Sequence, residues 1–173
     1  MFAALAVLLP TAQFGVQPLG ASPAGTTCSS ITGRAKFSPA LGVLSVRTKK
    51  AYTVTMVGTF VGCAGGGVTG ATFSSTYKVK AGNCATLYAA GPTPTPEPVI
   101  VAWNTKRTST GTFQMQGAKT NPQRGTLHAT TAAGLFKGLR TTAAYRFALL
   151  TKNGCTVVRL KEISISGGPV TVK

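Results

Sequence analysis

Apolar and polar residues alternate with a period of two along most of this chain beyond residue 30, the pattern of strands that bury one face. In YTVTMVGTF, Val54, Met56 and Phe60 fall on one side and Thr53, Thr55 and Thr59 on the other. ATFSSTYKVK repeats the pattern with Phe73, Tyr77 and Val79 against Thr72, Thr76, Lys78 and Lys80, and TTAAYRFALL repeats it through Tyr145, Phe147 and Leu149. GTFQMQ (111–116) and GTLHATT (125–131) are shorter examples. VIVAW (99–103) is apolar on both faces, which predicts a central strand. In CTVVRLKEISIS (155–166), Val158 and Leu160 occupy even positions but Ile163 and Ile165 odd ones. A bulge at Lys161-Glu162 restores a single buried face.

Seven or eight such strands, punctuated by Gly, Pro and Asn, predict an all-β fold: an antiparallel β-sandwich, immunoglobulin-like or jelly-roll-like, with at most one short helix. The helix is expected in NCATLYAAG (83–91), where Asn83 caps the start and Gly91 supplies the left-handed stop. Residues 31–41 and 50–61 form a hairpin around the polar turn near Arg47 to Lys50, so that positions summing to about 91 face each other.

That register bears on the four cysteines, whose spacings match neither zinc sites nor redox pairs. Four cysteines allow three connectivities. Cys28 and Cys63 sum to 91 and pair across the hairpin; Cys84 and Cys155 follow by elimination, leaving no free thiol. In the chain-entropy account each bridge contributes roughly 4 kcal/mol. The second bridge encloses GPTPTPEP (91–98), which argues against an interdomain linker. Residues 25–173 are expected to form one domain, with 91–98 as an exposed Pro-rich loop that breaks a sheet edge.

No charge precedes Arg34. Phe2 to Leu9 form a short apolar core ended by Pro10, and Ser22-Pro23-Ala24 is a small-residue cleavage pattern, so residues 1–24 read as a secretory signal. Its missing basic n-region implies a natural start further upstream. Eight apolar residues are too few for a transmembrane anchor. The expected location is secreted or cell surface, where disulfides persist.

Eighteen Lys and Arg face only Glu97 and Glu162, giving a net charge of +16. The scarcity of acids removes whole classes of chemistry. Glycosidases need two carboxyls flanking a bond, and here one glutamate lies among prolines and the other in a strand. A Ser-His-acid triad would have to recruit His128, which alternates with Leu127 and Ala129 as a solvated strand residue, and no G-x-S-x-G elbow exists. Calcium, magnesium and zinc sites lack their ligands. The expectation is no catalytic residue, no metal, no cofactor and no enzyme activity.

The positive field attracts polyanions. Clustered cations supply the candidate contacts: Lys49 and Lys50, Lys78 and Lys80, Lys106 and Arg107. The expected partner is an anionic polymer of the cell envelope or the extracellular space. No nucleic-acid motif is present, and the aromatics alternate into the core instead of forming a stacking platform. Trp103 shares a side with Val99 and Val101 and reads as core, not as a sugar platform. The runner-up is an adhesive or structural module that grips a protein partner by a sheet edge or by the PTPTPEP segment. The sequence sets no oligomeric state.

The segments TCSSITGRAKFSPAL, TVTMVGTFVGC and GGVTGATFSS, with GLFKG and a late NGC, together resemble small, uncharacterised exported proteins of actinobacteria over most of the mature chain. The resemblance implies export and a disulfide-bonded β-sandwich and carries no activity or site. A more remote likeness, in being exported and doubly disulfide-bonded, is to the chromoprotein apoproteins of actinomycetes. It would imply a carrier of a small apolar ligand, although the close Cys spacings of those proteins are missing.

Overall fold

The computed structural model describes residues 24–43, 51–90, 92–118, 121–151, 155, 156 and 158–173. The segment read as a signal, up to residue 23, and the turn carrying Lys49 and Lys50 lie outside the described residues.

Eight antiparallel strands follow one another around a closed barrel: β1 (Thr26–Leu41), β2 (Tyr52–Ala64), β3 (Gly70–Val79), β4 (Thr93–Trp103), β5 (Thr108–Ala118), β6 (Asn121–Gly134), β7 (Arg140–Leu149) and β8 (Leu160–Val172). The expected sandwich is therefore wrong. Each strand pairs with the next, and β1, besides pairing with β2, pairs with β8 from Thr26↔Val172 to Leu41↔Leu160. That last ladder closes the sheet. It depends on Ser166 to Val172, where Gly167, Gly168 and Pro169 disguise a strand that the periodicity ends at residue 166.

The β1–β2 hairpin has the expected register, with Cys28↔Cys63 and Ser38↔Thr53 among its pairs. Burial alternates residue by residue along β3 and β7. The phase change in β8 lies between Leu160 and Ile163, both fully buried, and the β1–β8 register shifts there.

Inside, Ile31, Met56, Phe73, Phe113, Met115, Leu127, Tyr145 and Ile165 fill the lumen, as an eight-stranded barrel of this diameter permits. Phe60 stacks on Phe73 with ring centroids 5.2 Å apart. One end is plugged by the β6–β7 turn, whose Phe136 is fully buried and meets Trp103 edge-on at 4.9 Å. The other end is covered by α1 (Cys84–Ala90). Asn83 caps this helix as predicted: its Oδ1 accepts from the Thr86 N–H at 3.1 Å, and its own N–H donates to Thr86 Oγ1 at 2.9 Å. Leu87 is buried and Tyr88 stacks on Phe147. The bridge between Cys84 and Cys155 ties α1 to the segment entering β8, and that between Cys28 and Cys63 staples β1 to β2 near the Trp103 end.

The Pro-rich stretch is not a loop. From Thr93 onward it is the first half of β4, paired with β5 at Thr93↔Met115 and Glu97↔Phe113. Ser75 Oγ on β3 donates to the Pro98 carbonyl, so the main-chain polar edge of Pro98 faces β3. The missing N–H of Pro98 thus falls on the side away from β5, and the β3–β4 ladder stops at Ser74↔Ile100. In the closed barrel β4 is no edge; the prolines instead coincide with the end of the β3–β4 ladder and with a register shift in the β4–β5 ladder between Thr93 and Glu97.

VIVAW is, as expected, a strand with a partner on each side, β3 and β5. Val99, Val101 and Trp103 face inward, and among the described residues nothing covers the outer face of β4, where Ile100 is 52% exposed. A closed barrel has no second layer to lay over it.

Candidate anion-binding surface

Every Lys and Arg among the described residues is exposed, so their placement on the strands decides what surface they make. In β3 and β7 odd positions point inward and even ones outward, as the burial shows. The same alternation puts Arg34 and Lys36 on the outside of β1, Arg124 on β6 and Arg146 on β7.

The sequence candidates do not come together. Lys78 and Lys80 lie at the α1 end of β3, and Lys106 and Arg107 lie on the β4–β5 turn at the opposite end. Lys49 and Lys50 lie outside the described residues. What the fold assembles instead is one half of the barrel wall. Strands β6, β7, β8 and β1, which are neighbours in space, carry Arg124, Arg140, Arg146, Lys161, Arg34 and Lys36 against a single acid, Glu162. Strands β2, β3, β4 and β5, the other half, carry only Lys78 and Glu97.

At the centre of the basic half, Arg124 and Arg146 are register partners. Residues directly opposite in antiparallel strands have Cβ atoms about 5 Å apart, where like charges oppose each other. Arg146 in turn pairs with Ser166 on β8, and its Nε donates to Ser166 Oγ at 3.1 Å. Ser166 pairs with Thr32 on β1. The row Arg124, Arg146, Ser166, Thr32 therefore crosses four strands with two guanidinium groups and two hydroxyls. One register row away, Arg34 stands beside Ser164, and its Nη1 lies 3.8 Å from Glu162 Oε1.

Chemically this is a surface of fixed cations and hydroxyl donors, suited to phosphate, sulfate or carboxylate groups repeated along a polymer. Sequence reasoning missed Arg124 and Arg146 because 22 residues separate them, and only the β6–β7 register makes them neighbours.

The two glutamates lie on β4 and β8, opposite walls of the barrel. Glu97 accepts from Thr95 Oγ1 at 2.8 Å. His128 is exposed on β6, and Trp103 is core, its Nε1 donating to Ser109 Oγ at 2.9 Å. The enclosed apolar cavity beside Trp103, Met56, Phe60 and Phe73 measures about 50 Å³, well below the few hundred Å³ of a small-molecule site. The lumen is apolar and the outer wall is rich in Thr, Ser, Lys and Arg, the reverse of a channel-forming outer-membrane barrel. Comparison with protein-family models, curated proteins and solved structures finds no match to this chain.

Proposed function

We propose that this chain is a non-enzymatic exported protein that attaches to an anionic polymer of the cell envelope or extracellular space through the β6–β7–β8–β1 wall. The observation that carries the reading is the Arg124↔Arg146 pair on an exposed face with no acid between them. Like charges placed opposite cost stability, and a bound anion converts that cost into binding energy. Support for export comes from the two disulfides, which keep in an oxidising compartment, and from the resemblance to exported actinobacterial proteins.

Retention on immobilised polyphosphate and heparin across a salt gradient tests it. Log affinity should fall linearly with log salt, and a neutral polymer should retain nothing. Replacing Arg124, Arg146 and Arg34 with Gln should weaken retention more than replacing Lys78, Lys80, Lys106 and Arg107, although four charges are removed in the second set and three in the first. Equal loss per charge would mean a diffuse coat in place of a site. Attachment indifferent to salt would instead favour an adhesive module recognising a protein partner.

A further inference from the structure

The neutral half of the barrel poses its own problem. Of the exposed large hydrophobics Val57, Val61, Ile100, Leu150 and Val158, the first three share the outer face of β2 and β4. Between these strands β3 offers Thr72 and Ser74, and β2 contains no charged residue at all.

We propose that this wall is the surface through which two copies of the chain associate. Charge selects the occupant. A copy with a net charge of +16 is repelled wherever cations face cations, and the β2–β3–β4 wall, whose one cation is Lys78 near the α1 end, is where two such molecules meet the least like charge. Arg34, the register neighbour of Val57, leans away from the wall, toward Glu162 on β8. A polyanion finds a single cation on this face, Lys78 near the α1 end of β3, and a neutral glycan finds no exposed aromatic ring, since Trp103 and Phe73 are buried.

Shape points the same way. Val57 and Ile100 flank a groove of about 400 Å³ floored by Gly58 and Phe73. Gly58 faces inward, where its missing Cβ makes room for the Phe73 ring: a Cβ there would stand 2.4 Å from it. Knob and hollow on one surface are what a two-fold, isologous contact requires, because each copy presents both. With strands about 4.8 Å apart and a rise of about 3.4 Å per residue, the three strands make a wall of roughly 14 by 24 Å. That is the scale of a small, reversible interface. Such a dimer turns both basic walls outward on opposite sides, so on the proposed function it would bridge two polymer chains.

Sedimentation equilibrium of the polymer-free protein over a concentration series tests the proposal. The mass should rise from monomer to dimer, and moderate salt should strengthen the dimer by screening the repulsion between copies, the reverse of its effect on polyanion binding. Ile100→Lys and Val57→Lys should each raise the dimer Kd at least about tenfold, while Thr142→Lys on the opposite wall should act only through added charge, an effect that salt removes. Both wall residues are half exposed, so thermal melts should match the unmodified protein; Thr59→Lys serves if either variant fails to fold. A protein that stays monomeric in moderate salt, or a dimer untouched by these lysines, would overturn the proposal. Neither outcome bears on polyanion binding, which is measured separately.

Discussion

Arg124 on β6 and Arg146 on β7 stand directly opposite each other on the outer face of the barrel, and Arg146 is held by Ser166 on the next strand. A pair kept for binding and not for folding leaves a distinctive signature. Arg124→Gln should leave stability unchanged or raise it by about 0.2–1 kcal/mol, because it removes a like-charge opposition. The same substitution should weaken retention on polyphosphate and reduce the salt slope by about one. Melting curves and salt-dependent retention on one variant decide the matter. A variant less stable and equally retentive would mean that the guanidinium packs instead of binding.

The glutamates should be dispensable. Glu162 is partly exposed and paired with Arg34 at 3.8 Å, a geometry worth about 0–1 kcal/mol at a surface, and Glu97 lies four strands away. The Glu97→Gln, Glu162→Gln double variant should fold with a loss within about 1 kcal/mol and bind polyanions more tightly, since Arg34 is released and two repelling charges are gone. If a turnover assay found an activity that this variant loses while folding normally, the protein would be an enzyme.

Much of the fold is legible in the chain because each strand buries one face. Burial alternates residue by residue from Thr141 to Leu149, Val54, Met56 and Phe60 share the buried face of β2, and the Cys28 to Cys63 register follows from a single hairpin. Closure is not legible, because an inward-facing alternation is the same whether the sheet curls onto itself or packs on a second sheet. The deciding contact joins Thr26 to Val172, almost the whole chain apart, through a segment that Gly167, Gly168 and Pro169 mask. The site fared worse. Lys78 with Lys80 and Lys106 with Arg107 stand out because they are close in sequence, yet the barrel sends them to opposite ends. Arg124 and Arg146 carry no local signal.

The α1 end should depend on its staple. Seven residues are too few for a helix to persist alone, so α1 stays in place through Leu87, the Tyr88–Phe147 stack and the Cys84–Cys155 bridge. A Cys84→Ser, Cys155→Ser variant should lose about 4 kcal/mol in denaturant unfolding. Native-state hydrogen exchange should then show the α1 amides opening well before those of β1 and β2, which keep their own bridge. Uniform loss of protection across the molecule would show that α1 and the barrel unfold as one unit.

The buried tyrosines should fix the alkaline limit. Burial pushes the phenols of Tyr77 and Tyr145 far above the usual value near 10, and the Tyr52 and Glu97 charges raise Tyr77 further. Tyr52 and Tyr88 are raised by burial as well. A raised phenol pKa means that the folded state holds its proton while the unfolded chain releases it. Below about pH 10 both states are protonated and stability does not change on this account; above it the unfolded state binds fewer protons, and stability falls as pH rises. Tyrosinate absorbance should therefore lag the ordinary curve and then appear together with the loss of near-ultraviolet circular dichroism. The two hydroxyls differ in one respect: Tyr77 donates to the Pro92 carbonyl at 3.0 Å, whereas the Tyr145 hydroxyl is buried with no hydrogen-bond partner among the described residues. Tyr77→Phe should cost about 0.5–1.5 kcal/mol at neutral pH, while Tyr145→Phe should be neutral or stabilising. Above pH 10 both replacements should soften the fall in stability, since each removes one group that only the unfolded chain can ionise. A Tyr145 that titrates near 10 in the folded protein would mean that the lumen admits water at that end.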